Sequence, residues 1–356
     1  MSGASRLVVG LEGLIPTPHE RAFLEKRRPL GVLLHPQNLE SAAQAAALVE
    51  EIRAACNPSP LLFVDQEGGP VDRLGPLLGV SFPSAASLAD KGVDRIQECA
   101  YLMGRAARLL GLDVDFAPVL DLAQPGTGAV VLAGRCYGFH AEDVVIAGMV
   151  FLHGLARAGI VSCVKHFPGL GRGPVDSHAA LPVVDAHDVD LMVTDVAPFA
   201  KLARAADGVM VGHGAYPGFT GDETPASLSP RIQAILRERI GWDGVVFSDD
   251  LGMGALGAMT LPDRVSAAAR AGCDVLVVSG SLAEASAAAD RLESEGLSEA
   301  PASLERIVVL RRRAASFPRT AFGPEAWDAL RAEVEGWLEE LAKPRTARGF
   351  DEPFPV

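Results

Sequence analysis

The chain has 356 residues, 49% of them hydrophobic, and its 45 acidic against 32 Lys and Arg side chains give a formal net charge of −13. That length accommodates two ordinary domains or one large α/β barrel. The acidic balance excludes a nucleic-acid partner, because binding to a phosphate backbone rests on clustered cations.

Five cysteines, at 56, 99, 136, 163 and 273, stand singly, which suits a reducing compartment better than a disulfide framework or a zinc site. Met1–Gly13 lacks a cationic start followed by a long apolar core, and no later run reaches membrane-spanning length. The reading is a cytoplasmic protein with no membrane partner.

Eight short runs rich in Val, Ile and Leu are predicted as strands: Leu7–Leu11, Gly31–His35, Leu61–Asp65, Val114–Val119, Gly159–Val164, Gly208–Gly212, Gly244–Ser248 and Asp274–Ser279. Between most of them lie stretches of helical period, Glu40–Ala55, Val93–Leu110, Ala141–Ala158, Thr194–Ala206, Ser229–Ile240 and Pro262–Ala271. Strands apolar on both faces, alternating with helices eight times, predict a TIM-type (β/α)8 barrel as a single catalytic domain over residues 1–315. A doubly wound open sheet is the second choice. Residues 303–343 read as two helices. The second, Glu325–Ala342, carries an apolar stripe at Trp327, Leu330, Val334 and Leu338, so 316–343 should pack on the outside of the barrel. Residues 344–356 hold three prolines and little periodicity, and are expected to be a disordered tail.

Polar residues recur at or just beyond the predicted strand ends: Asp65, Asp121, Lys165 with His166, His213, and Asp249 with Asp250. Any one of them could be a helix cap or loop acid. In a barrel, however, these ends share one face, where active sites are built. The densest stretch is Lys165-His166-Phe167-Pro168-Gly169, followed by Asp176-Ser177-His178. Side chains two apart in an extended loop point the same way, so Asp176 and His178 can meet, and an imidazole held by a carboxylate transfers protons. The connector Pro168–Pro174 has little side-chain mass to pack and reads as a mobile loop carrying His178. No G-K-[ST] follows it, against a phosphate-binding loop.

These motifs, with Asp65-Gln66-Glu67-Gly68-Gly69, Pro225-Ala226-Ser227-Leu228-Ser229 and Gly244-Val245-Val246-Phe247-Ser248-Asp249-Asp250-Leu251, resemble glycoside hydrolase family 3. Within it they are most similar to the single-domain β-N-acetylhexosaminidases of bacterial cell-wall recycling. The resemblance runs from about residue 7 to 315. It implies that Asp249 is the catalytic nucleophile, that His178 is the general acid/base and Asp176 its orienting partner, and that Asp65, Arg73, Arg135, Lys165 and His166 hold the sugar hydroxyls. It implies a retaining exo-β-N-acetylglucosaminidase acting as a monomer on peptidoglycan-derived carbohydrate, with no cofactor and no metal. The chemistry agrees: retaining cleavage needs a carboxylate below the ring and a group that alternates as acid and base, and an imidazole titrates near neutrality.

Two positions depart from the family pattern, Leu170 where histidine is usual and Pro70 where arginine is usual, and Gln124–Ala133 is atypical ahead of Arg135. Other functions remain open on sequence alone: a β-glucosidase or a glycoside phosphorylase with the same nucleophile, and a non-catalytic sugar-binding barrel. A metal-dependent hydrolase using His166, Asp176, His178, His213 and Asp249 is disfavoured, since no H-x-H or H-E-x-x-H spacing occurs. His213 reads as lying behind the catalytic groups, and Trp242, Cys163 and Cys273 as core.

Overall fold

A computed structural model describes residues 3–124, 132–319 and 321–343. They form eight parallel strands, β1 (Leu7–Val9), β2 (Gly31–Leu33), β3 (Leu61–Val64), β4 (Val114–Asp115), β5 (Val161–Phe167), β6 (Gly208–Val211), β7 (Val245–Asp250) and β8 (Val275–Val278), in sequential order. The ring is closed by β1 against β8, with Val8 opposite Val277. Each of the eight sequence runs supplies one strand, as a TIM-type (β/α)8 barrel requires. Val114–Val119 yields a shorter strand than expected, because Pro118 has no N–H for the ladder; Val119 rejoins as a single bridge to Lys165.

The barrel interior is packed solid. Phe63, Phe116 and Phe247 meet with ring centroids 5.2–5.9 Å apart, among Val8, Leu33, Val161, Met210 and Val277. One principal helix follows each strand: α1 (Pro18–Arg27), α2 (Ala42–Ala54), α3 (Val93–Leu109), α4 (Ala141–Ala158), α5 (Ala197–Leu202), α6 (Pro230–Ala234), α7 (Leu261–Ala271) and α8 (Leu282–Ser294). Their starts follow side-chain chemistry. Thr17 and Glu20 form a reciprocal capping box on α1, and Ser281 with Glu284 does so on α8. The expected Thr194–Ala206 helix is shortened: a separate helix Asp188–Val193 stops at Thr194, and α5 begins only at Ala197, with Pro198 in its first turn. Ser229–Ile240 begins as α6 and widens to a π-helix over Ile235–Arg239.

The barrel floor is sealed by charge. An aspartate immediately precedes β4, β6 and β8, and each accepts a backbone N–H from the strand before. Asp113 Oδ2 takes Leu62 N–H at 3.0 Å, Asp207 Oδ2 takes Ser162 N–H at 3.0 Å, and Asp274 Oδ2 takes Val246 N–H at 2.9 Å. Arginines complete the pairing. Arg53 reaches Asp113 at 2.7 Å and Arg237 reaches Asp274 at 2.7 Å. From α9 (Pro301–Ala315), Arg306 reaches Asp274 at 3.1 Å and Arg313 reaches Asp207 at 2.9 Å. The following helix, α10 (Pro324–Ala342), lies on α3 and ties to it through the Arg105–Glu333 ion pair. Its buried stripe is Trp327, Leu330, Val334 and Trp337; the expected Leu338 packs beside it only partly covered. The expected tail, 344–356, lies outside the described residues.

All five cysteines are free and buried. Among the described residues no helix is long and apolar enough to cross a membrane. Asp274→Ala should destabilise the fold by about 3–5 kcal/mol, since it removes the buried carboxylate that Arg237, Arg306 and the Val246 N–H share. Urea denaturation measures the loss, and a cost below about 1 kcal/mol would contradict the floor's structural role.

Candidate active site

The upper ends of the strands enclose a cavity of about 320 Å³, at the small end of the roughly 300–1,000 Å³ usual for small-molecule sites. Asp65, Arg73, Arg135, Lys165, His166, His178 and Asp249 all line it, from β3, β4, β5 and β7 and the loops that follow them. Asp176 does not line it and reaches it through His178.

Two irregularities in the strand ladder shape the lining. Consecutive residues in a regular strand face opposite sides, yet Lys165 and His166 both line the cavity, as do Asp249 and Asp250. The β5–β6 register slips between Val164 and Phe167, and the β7–β8 register slips between Phe247 and Asp250. Slips of this kind re-aim side chains next to sites.

Lys165 is the electrostatic centre. Its buried ammonium lies 2.6 Å from Asp65 Oδ1 and 2.6 Å from Glu67 Oε1. Arg135 grips the same Glu67 with two bonds, Nε to Oε2 at 2.7 Å and Nη2 to Oε1 at 2.8 Å. Burial alone would raise the Glu67 carboxyl, but Lys165 and Arg135 outweigh it and hold its pKa down at about 2. Burial would likewise neutralise Lys165, yet Asp65 and Glu67 hold its pKa above the usual lysine range. Glu67, Lys165 and Arg135 are therefore ionised at neutral pH, with Arg135 aimed by Glu67. Arg73 makes no ion pair among the described residues; the loop carrying it is folded by Gln66, whose Oε1 accepts the N–H groups of Arg73 and Leu74 at 2.8 Å each.

His166 donates from Nδ1 to Asp121 Oδ2 at 2.7 Å, which leaves Nε2 for a ligand. Asp121 Oδ1 accepts Leu170 N–H at 2.7 Å. Glu67 and Asp121 thus hold the groups that touch the cavity, and the sequence reading gave neither a role. The available signal for Glu67 was its place two residues beyond Asp65, on the same side of an extended segment.

Asp249 Oδ1 accepts the Asp250 N–H at 2.8 Å, and the described residues give Oδ2 no hydrogen-bond partner. Burial raises the Asp249 carboxyl, and His213, His166, the Asp250 N–H and Lys165 act against it. The balance leaves its pKa below the ordinary value. Asp250 is committed elsewhere: its side chain takes Ser279 Oγ–H and, at 2.9 Å, Gly252 N–H. His213 lies behind the wall, its Nε2–H donating to the Asp250 carbonyl at 2.9 Å and its Nδ1 accepting from Ser227 Oγ at 2.7 Å. Burial lowers its pKa below the ordinary histidine value, against the opposing pull of Asp249 and Asp250.

His178 Nδ1 lies 2.9 Å from Asp176 Oδ1, and the His178 backbone N–H donates to the same oxygen at 2.8 Å. The pair forms inside a turn, closed by the N–H groups of Ala179 and Ala180 on the Asp176 carbonyl, and not along an extended loop as the spacing suggested. Both side chains are substantially exposed. The connector ahead of them is docked, contrary to its reading as slack chain. A Cβ on Gly171 would sit 1.9 Å from the Leu122 carbonyl oxygen, Tyr216 Oη donates to Gly169 O at 2.7 Å, and Leu170 is buried against Leu132 and Cys136. The glycines serve close approach. Pro70 lies in van der Waals contact with the Gly134 position, beside Arg135. Most of the atypical Gln124–Ala133 segment, 125–131, lies outside the described residues.

Glu67→Gln keeps the shape but removes the charge that joins Lys165 to Arg135, and should cost about 3 kcal/mol of stability at pH 7. A carboxylate with a depressed folded pKa stabilises fully above its unfolded pKa and loses that contribution as pH falls through the folded one. The gap between wild type and variant should therefore hold above about pH 4.5 and shrink toward pH 2. Denaturation at pH 7 and pH 3 measures it, and equal gaps at both would contradict the assignment.

Comparison with known proteins places this architecture. The glycosyl hydrolase family 3 N-terminal domain matches residues 13–310. The β-hexosaminidase of Thioalkalivibrio sulfidiphilus is 34% identical over 340 residues, 92% of this chain and 95% of that protein. A family 3 β-N-acetylglucosaminidase from Paenibacillus sp. superposes with a TM-score of 0.82 at 29% identity, covering 94% of this chain and 68% of the other. NagZ of Neisseria gonorrhoeae in complex with N-trifluoroacetyl-D-glucosamine gives 0.79 at 28% identity, covering 95% and 98%. With a closed eightfold barrel, a charged cavity at its upper face and a family match across most of its length, the chain belongs to glycosyl hydrolase family 3 and is a glycoside hydrolase.

Proposed function

We propose that the protein is a retaining exo-β-N-acetylglucosaminidase that removes terminal β-linked N-acetylglucosamine from peptidoglycan-derived sugars. The observation that carries the reading is the convergence of Asp249, with an oxygen that accepts no hydrogen bond from the described residues, and of His178, bonded to Asp176, on one cavity. The cavity's small size suits a single terminal ring. The choice of sugar is supported by the relatives, one named a β-N-acetylglucosaminidase and one bound to an N-acylglucosamine.

In the first step Asp249 Oδ2 attacks C1 as His178 donates its Nε2 proton to the glycosidic oxygen. The alcohol departs and a glycosyl-aspartate forms with inverted configuration. In the second, neutral His178 takes a proton from water, whose oxygen attacks C1 and releases Asp249. Two inversions give retention. Asp176 keeps Nδ1–H engaged, so the transferable proton is on Nε2, and stabilises the imidazolium. Asp65, Arg73, Arg135, Lys165 and His166 hold the sugar hydroxyls, pre-aligned by Glu67 and Asp121. Residues 1–315 are the catalytic domain, 316–343 an accessory helical segment on it, and the enzyme acts in the cytoplasm as a monomer.

Asp249→Ala should lower kcat/KM on an aryl N-acetyl-β-glucosaminide by about 10⁴-fold or more. A 2-fluoro-sugar trap should label Asp249, and a label elsewhere would end this mechanism. His178→Ala should lose roughly 10²-fold on a substrate with a poor leaving group and far less on an activated one. Proton NMR of the first product should show the β-anomer. Sugar 1-phosphate formed only with inorganic phosphate present would instead make the enzyme a phosphorylase.

A further inference from the structure

We infer that Gly254 is a positioning residue for the reaction: its peptide forms a strut that fixes the height of His178 over the cavity. The inference rests on the acid/base reading of His178. Gly254 does not itself line the cavity.

The turn after β7 leaves the nucleophile strand at Asp250 and crosses to the loop bearing His178. Gly254 N–H donates to the His178 carbonyl at 3.1 Å, and Ala255 N–H donates to the Ser177 carbonyl at 3.1 Å. The other backbone bonds of the Asp176–Ala180 turn in the described residues are local, from Ala179 and Ala180 to Asp176. With its side chain largely exposed, His178 therefore has little else to set its distance from β7. At its other end the strut is anchored. Met253 N–H donates to Asp250 O at 3.0 Å, Gly252 N–H donates to Asp250 Oδ1 at 2.9 Å, and the same Asp250 carbonyl accepts His213 Nε2–H at 2.9 Å. Four residues thus link the neighbour of the nucleophile to the backbone of the acid/base.

The fit requires the absence of a side chain. A Cβ at position 254 would lie 2.5 Å from the His178 carbonyl oxygen and 2.9 Å from that of Ala179. Both are backbone atoms that no rotamer change can move aside, so any larger residue must push the His178 turn outward. Proton transfer needs heavy atoms within about 2.6–3.2 Å, and displacement by a few tenths of an ångström or more degrades it.

The experiment compares wild type, Gly254→Ala, His178→Ala and the double variant on 2,4-dinitrophenyl and phenyl N-acetyl-β-glucosaminides, with thermal melting alongside. Gly254→Ala should lose about 10-fold or more in kcat/KM on the phenyl substrate, which needs protonation, and stay within about threefold of wild type on the dinitrophenyl one. In the His178→Ala background it should add no further loss, because its effect runs through the imidazole. Where His178→Ala is selective but Gly254→Ala matches wild type, or loses equally on both substrates, the strut is wrong and the acid/base reading stands. Where His178→Ala loses equally on both, the acid/base reading fails and the strut falls with it. A measurement that needs no variant is amide hydrogen exchange of the wild type: Gly254 and Ala255 should exchange slowly, and rates of an open loop would overturn the proposal.

Discussion

The upper half of this barrel depends on one buried ion group, Lys165 with Asp65, Glu67 and Arg135. Desolvating a lone ammonium costs several kcal/mol, and attraction repays it only when every charge is matched with good geometry. Here two cations meet two carboxylates, with Glu67 shared between both cations. The sharing makes the arrangement cooperative: removing any member strands another in a water-poor site. Its members come from the ends of β3 and β5 and from the loop after β4, so the same bonds that satisfy the charges also align three neighbouring parts of the rim. A rim fixed in this way is pre-organised to bind a polar ring without reorganising when the ring arrives.

The floor solves a different problem with similar residues. Asp113, Asp207 and Asp274 each accept a strand N–H and an arginine, and α9 provides two of those arginines. Five of those six carboxylate oxygens accept hydrogen bonds from the protein, and the sixth, Asp113 Oδ1, faces Arg108 at 3.6 Å. At the top, by contrast, Asp249 keeps one oxygen free and Arg73 keeps an unpaired guanidinium among the described residues. Barrel enzymes separate stability at the lower face from chemistry at the upper one, and in this chain the floor carboxylates are each paired with an arginine while Asp249 and Arg73 face the cavity.

Much of the fold was legible because the signal is redundant. Eight Val- and Leu-rich runs each had to be buried on both faces, and each became a strand. Polar residues at their ends had one place to go. What escaped depends on tertiary partners. The helix expected over Thr194–Ala206 had suitable composition, but it forms only over Ala197–Leu202, after an earlier helix ends at Thr194 and with Pro198 in its first turn. The glycines of the Pro168–Pro174 connector signalled freedom, and their use is the opposite: Gly171 sits where the Leu122 carbonyl leaves no room for a side chain. Sequence gives the permissiveness of glycine, not whether a turn or a close neighbour exploits it. Glu67 and Asp121 went unassigned for a related reason, since a carboxylate that serves by orienting a lysine or a histidine looks in sequence like any loop acid.

The pair Asp249-Asp250 shows how far environment, more than identity, assigns chemistry. Both carboxylates line the cavity, brought there by the slip in the β7–β8 ladder. Asp250 is spent on Ser279 and on Gly252, and its carbonyl on His213 and Met253, so it acts as a fixed corner from which the turn toward His178 departs. Asp249 gives up one oxygen to a neighbouring N–H, and although burial raises its carboxyl, His213, His166, that N–H and Lys165 leave its pKa below the ordinary value. A nucleophile needs an uncommitted lone pair and a full charge at working pH. A corner needs every lone pair engaged. Under the proposed mechanism, two identical residues in succession would meet the two requirements because the strand irregularity gives them different neighbours.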